Sequence, residues 1–145
     1  MTEENKALAR RVIDEAWNRG ELATVDEVFA PDYVEHNPRP GQGPGIDGYK
    51  GGILMLRTAF PDLRLEVHEL IAEGDRVAVR YTLHGTHEGE LMGLPAAGQR
   101  VASDGMVIAR FENGKVVERS GVQDMLTLLQ QIGAFPTAAP AAAAR

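Results

Sequence analysis

The chain has 145 residues and a net charge of −6, from 15 Lys and Arg against 21 Asp and Glu, with four His, one Trp and no Cys. That composition excludes disulfides, thiolate metal sites and cysteine nucleophiles, and the acidic balance argues against nucleic acid, whose binding runs on Lys and Arg. The length suits one domain able to bury a core unaided.

No stretch approaches the ~18 consecutive apolar residues of a membrane span. The N-terminus is acidic and then helical, whereas a secretory signal begins basic and turns apolar. The reading is a cytoplasmic protein with no membrane and no nucleic-acid partner.

Glu3 to Arg19 carries helical periodicity, with Leu8, Val12, Ile13, Ala16 and Trp17 on one face. Gly20 is placed to end that helix in the left-handed conformation. A shorter helix spans about Thr24 to Ala30 and is closed by Pro31. Asp32 to His36 is a short extended piece, and 37–45 is a loop by its proline and glycine content. A third helix covers about Ile46 to Phe60.

The period then changes to two. Leu63, Leu65, Val67 and Ile71 alternate with polar residues, and Val77, Val79, Tyr81 and Leu83 do the same in a second strand. Val101 to Phe111 and Lys115 to Gln123 read as two more strands joined at Asn113-Gly114. Asp124 is placed to cap a last helix, Met125 to Ile132. Residues 134–145 hold seven Ala and two Pro and read as a weakly ordered tail beyond a single domain at 1–133. Helices segregated from a run of antiparallel strands mean α+β. Three helices on one face of a curved sheet would leave a cone with an apolar pocket.

No phosphate loop, Gly-x-Ser-x-Gly elbow or His-Glu-x-x-His motif is present. His36 is the candidate proton carrier, since imidazole titrates near neutral pH. Tyr33, three residues earlier, would face the other way in a strand. His84 and His87 are also three apart, on opposite strand faces and without a third ligand, so no metal site is read there. His84 shares a face with Arg80 and Thr82, either inside a pocket or on the polar outer side of the sheet. Trp17 is core or pocket wall.

The stretches Trp17-Asn18-Arg19-Gly20, Ala30 to His36, Gly85-Thr86-His87-Glu88-Gly89 through Gly93-Leu94-Pro95, and Arg110-Phe111-Glu112-Asn113-Gly114-Lys115 together resemble the SnoaL-like polyketide cyclase (ester cyclase) family. The likeness runs over roughly residues 5 to 133. It implies the cone-shaped α+β fold shared with ketosteroid isomerase, a curved antiparallel sheet packed on three N-terminal helices with a short C-terminal helix. It also implies a cofactor-free pocket and, often, a homodimer through the sheet.

The resemblance further implies an aldol cyclisation driven by an Asp on the last strand and a His on the preceding one. Aligned on Asn113-Gly114-Lys115, those positions are Gly121 and Val107, and neither residue moves a proton. A three-residue hairpin loop pairing Phe111 with Lys115 would put Val107 and Gly121 on one face, together with Ser103, Gly105, Arg119 and Gln123. Relative to ketosteroid isomerase, His36 stands where that enzyme's aspartate base lies, and Ile13 stands at its tyrosine donor position.

Two readings follow. In the first, the chain is a small enzyme acting on an apolar, carbonyl-bearing compound, with His36 as base and His84 or Arg80 in support. Trp17, Val107, Arg119, Gly121 and Gln123 would line its pocket. In the second, it is a non-catalytic binder of a hydrophobic metabolite that has lost the family's Asp and His.

Overall fold

The structure is a computed structural model that describes residues 2–135, so most of the expected 134–145 tail lies outside the described residues. The first helix, α1 (Thr2–Arg11), runs on into a π-helical segment at Val12–Trp17. There Asn18 N–H bonds back to the Ile13 carbonyl, the wider i→i+5 spacing. Gly20 ends the helix at φ +74°, the left-handed geometry that its position predicts. α2 (Ala23–Val28) is followed without a break by β1 (Phe29–Glu35), so Phe29 and Ala30 belong to the strand rather than to the helix expected there.

α3 (Gly45–Ala59) buries Tyr49, Ile53, Leu56 and Ala59 at helical spacing. β2 (Arg64–Glu73), β3 (Arg76–Thr86), β4 (Arg100–Glu112) and β5 (Lys115–Gln123) follow, and α4 (Met125–Gln131) closes the fold. The Asp124 carboxylate caps α4, accepting from Thr127 N at 3.0 Å and Thr127 Oγ1 at 2.7 Å.

The architecture is α+β. One curved sheet has the order β1-β5-β4-β3-β2, with its concave face closed by the N-terminal helices. The four later strands are antiparallel neighbours, whereas β1 joins β5 in parallel. On β3 and β4 the odd-numbered residues face the helices and the even-numbered residues face outward. Val77, Val79, Tyr81 and Leu83 therefore enter the core with Phe111, Val101 and the aromatic residues of the helices. None of the described helices is long and apolar enough to cross a membrane.

Two bulges set which side chains reach the interior. In β2 the register shifts at His68, so Leu70 and Ala72 turn inward. Ile71, expected on the apolar face, stands outside at 60% exposure.

The β4–β5 hairpin differs from the expected three-residue loop. Glu112 pairs directly with Lys115 across a two-residue turn, with Asn113 at φ 52° and Gly114 at φ 75°. Phe111 pairs with Val116, not Lys115, and an extra residue at Val117 then shifts the register. The expected side of the sheet is reached by this other route: Val107 stands directly opposite Gly121, and Gly105 opposite Gln123.

Candidate active site

A cavity of about 340 Å³ opens between the inner face of β3 and β5, α3, α4 and the proline-rich loop after β1. Its apolar wall comes from Met55, Leu56, Leu83, Leu91 and Leu128, and its polar groups are Asn37, Arg39, Gln42, Tyr81, Arg119 and Gln123. A small inner recess of about 50 Å³, lined by Trp17, Tyr49 and Val107, shares Tyr81 and Arg119 with it. This is the usual form of a small-molecule site, mostly apolar with a few convergent polar groups.

Strand parity decides which residues enter. In β1, Tyr33 and Glu35 turn inward while Val34 and His36 turn outward. Glu35, not His36, is therefore the residue that strand presents to the interior. Its carboxylate takes Arg119 Nη1 at 2.9 and 3.0 Å, and both side chains are nearly buried, at 7% and 12% exposure. Burial alone would pull the Arg119 guanidinium down. The neighbouring Tyr49, Glu35 and Tyr81 outweigh that and hold it above its ordinary value. Glu35 lies behind Arg119 and does not line the cavity. Burial also raises Tyr33, whose hydroxyl lies 3.4 Å from the same carboxylate.

Arg119 stacks over the Tyr49 ring at 5.0 Å, and Arg39 stacks over Trp17 at 5.4 Å. The two aromatic side chains form one edge-to-face pair, with Trp17 Nε1 donating to Tyr49 Oη at 2.8 Å. Two cations thus rest on one aromatic unit.

Tyr81 Oη donates to Gln123 Oε1 at 2.7 Å, and Gln123 Nε2 donates to Ser103. Gly105 makes room for this, because a β-carbon there would lie 2.5 Å from the Tyr81 hydroxyl. Burial raises the Tyr81 phenol, so it remains a neutral donor.

Among the residues read as functional, Trp17, Val107, Arg119, Gly121 and Gln123 line the cavity or its inner recess. The three residues read as catalytic do not. His36 lies on the outer side, half exposed, with its Nε2 2.7 Å from Glu118 Oε1. His84 and Arg80 occupy even positions of β3 and face outward, 2.8 Å from Glu66 and 2.6 Å from Glu69. His36 and His84 therefore do not converge on a common cavity. The physical reason is the two-residue period, which sends His36 away from the side that Glu35 takes. His68 is outside as well, against Thr82, and His87 is fully buried with Ala97 N–H on its Nδ1.

Three polar residues went unassigned in the sequence. Glu35 carried a usable signal, since it shares strand parity with the buried Tyr33. Arg39 and Gln42 sit in an aperiodic loop and carried none.

The family model for SnoaL-like polyketide cyclases matches residues 7–132. The chain belongs to the SnoaL-like polyketide cyclase family. A curated relative is the aklanonic acid methyl ester cyclase DnrD of Streptomyces peucetius, 31% identical over 132 residues, covering 87% of this chain and 88% of that protein. Among solved structures, TsrD of Streptomyces laurentii matches with a TM-score of 0.84 and 28% identity, covering 93% of this chain and 98% of that one. AclR of Streptomyces galilaeus, for which a hydroxylase activity has been proposed, matches with a TM-score of 0.83 and 37% identity, covering 94% and 100%. Against the family's cyclase pattern, this SnoaL-like chain keeps the scaffold and carries Val107 and Gly121 facing each other on the cavity side.

Proposed function

We propose that this protein is a cofactor-free, polyketide-cyclase-like enzyme that binds an apolar carbonyl compound in the cavity and stabilises its enolate with Arg119. One observation carries the reading. A β-carbon at position 121 would lie 3.4 Å from both Arg119 Nη1 and Nη2. The place where the resemblance puts a carboxylate base therefore borders on a cation, which suits an oxyanion rather than a proton abstracted from carbon.

Among the described residues, the cavity and its recess are lined by no Asp, Glu or His. The contribution supported is electrostatic. A carbon acid flanked by carbonyls ionises more readily when its enolate oxygen meets a buried, pre-oriented guanidinium. Glu35 holds that guanidinium in place. The C–H proton passes to solvent water, the enolate carbon attacks a second carbonyl of the same molecule, closing a ring, and the resulting alkoxide takes a proton back from water. Proton transfer by His36 finds less support, because the imidazole would have to leave Glu118 and cross the sheet.

Aklanonic acid methyl ester, named for DnrD, serves as first test compound in a chromatography and mass-spectrometry assay. A product of unchanged mass and new retention time supports cyclisation. Tight binding with the compound recovered unaltered supports the second reading, a binding protein without turnover. The lack of a carboxylate or imidazole in the lining is the observation that favours it.

For partners, the reading is an apolar small molecule and a second copy of the chain. Met106, Ile108 and Val122 stand 50–61% exposed on neighbouring strands of the outer sheet face. Ion pairs of both signs flank this patch, Arg80 with Glu69 on one side and Arg110 with Glu118 on the other. An exposed apolar stripe of this kind can be covered by the same stripe of a second copy in an isologous two-fold contact.

A further inference from the structure

The loop after β1 places a second cation in the cavity, and it has no ion-pair partner among the described residues. Arg119 has Glu35, but no described carboxylate lies within ion-pair distance of the Arg39 guanidinium. Burial, and then the nearby Arg119, lower the Arg39 pKa, so its charge is held there at a cost that an anion would relieve.

Beside it, Gln42 Oε1 accepts the Arg39 backbone N–H at 2.9 Å. That bond fixes the amide orientation and turns Nε2 the other way. Gln42 Nε2 is buried and has no hydrogen-bond partner among the described residues. An orphaned buried donor calls for an acceptor, since leaving it unmade is costly. Both side chains line the cavity described above. The loop is held over the cavity by Asn37 Nδ2, which donates to the Gly121 carbonyl at 2.5 Å.

We propose that Arg39 and Gln42 form an anchor for a carboxylate, so that the cavity takes an apolar polycyclic ligand as its free acid in preference to its methyl ester. A carboxylate supplies the charge that Arg39 lacks and lone pairs for Gln42 Nε2. A methyl ester supplies no charge and leaves the guanidinium unpaired. The proposal rests on the reading of this cavity as the ligand site, and it names the class of ligand that reading leaves open.

Anthraquinone-2-carboxylate and its methyl ester are suitable probes, titrated by calorimetry into the unaltered protein, Arg39→Met and Gln42→Ala. The acid is expected to bind about tenfold more tightly than the ester, a difference of about 1.4 kcal/mol. Arg39→Met should bring the acid down to the level of the ester measured on the same variant. Gln42→Ala should narrow the gap. Equal binding of the two probes by the unaltered protein, or a preference that survives Arg39→Met, overturns the anchor and leaves the cavity reading standing. Failure of both probes to bind overturns the cavity reading as well. The comparison in the unaltered protein decides even if a variant misfolds.

Discussion

Glu35 grips Arg119 with both carboxylate oxygens inside the fold, joining parallel neighbours β1 and β5 where the cavity begins. A pair this buried is costly to break from one side, because the other charge stays behind unpaired. Glu35→Gln should therefore destabilise the protein by about 3 kcal/mol. Urea denaturation measures it, and a loss well under 1 kcal/mol would mean that Arg119 finds another partner.

Gly121→Asp separates two accounts of the site. The added β-carbon meets Arg119 and the Met106 carbonyl at 3.4 and 3.5 Å, and the backbone there does not require glycine, so the fold should hold. The new carboxylate would pair with Arg119 and remove the positive charge offered to an enolate. Turnover should fall about tenfold or more. A gain would mean that the family's missing base, rather than the cation, limits this protein.

Acid stability has a defined contributor in Asp62. Its carboxylate accepts Thr86 N at 2.7 Å and Thr86 Oγ1 at 2.8 Å, tying the end of β3 to the turn after α3. Those bonds, backbone first, lower its pKa below the usual aspartate value. A depressed folded-state value means that the stabilisation is fully present above about pH 4 and is lost as pH falls through the folded value. Asp62→Asn should flatten the acid side of the stability profile and leave its dependence near neutral pH unchanged. Urea midpoints taken from about pH 6 down to about pH 2 test this.

Met106→Glu places a charge at the middle of the exposed stripe. If two copies pair through that face, light scattering should give a dimer for the unaltered chain and a monomer for the variant, with cavity binding retained. An unaltered chain that runs as a monomer refutes the pairing.

The order of elements was readable because each rests on local periodicity or turn chemistry. Asn113-Gly114 gave the hairpin, Gly20 a helix end, and Asp124 a cap. Which side chains reach the interior was less readable, because single inserted residues decide it. The bulge at His68 reverses the sides taken by Leu70 and Ile71, and the extra residue at Val117 restores Val107 and Gly121 to one face. In β2 the consecutive polar residues His68 and Glu69 interrupt the alternation at the bulge, whereas Val116-Val117 in β5 suits either register. His36 turns outward for a simpler reason, the parity it shares with exposed Val34. Arg39 and Gln42 were invisible because a proline-rich loop has no period from which to infer direction.

The most direct measurement compares Arg119→Met with His36→Gln in one turnover assay, using aklanonic acid methyl ester and its free acid, with circular dichroism to confirm that both variants fold. Arg119→Met should lose about a hundredfold or more in turnover, while His36→Gln stays close to the unaltered protein. Loss of turnover in His36→Gln with Arg119→Met still active would contradict the account.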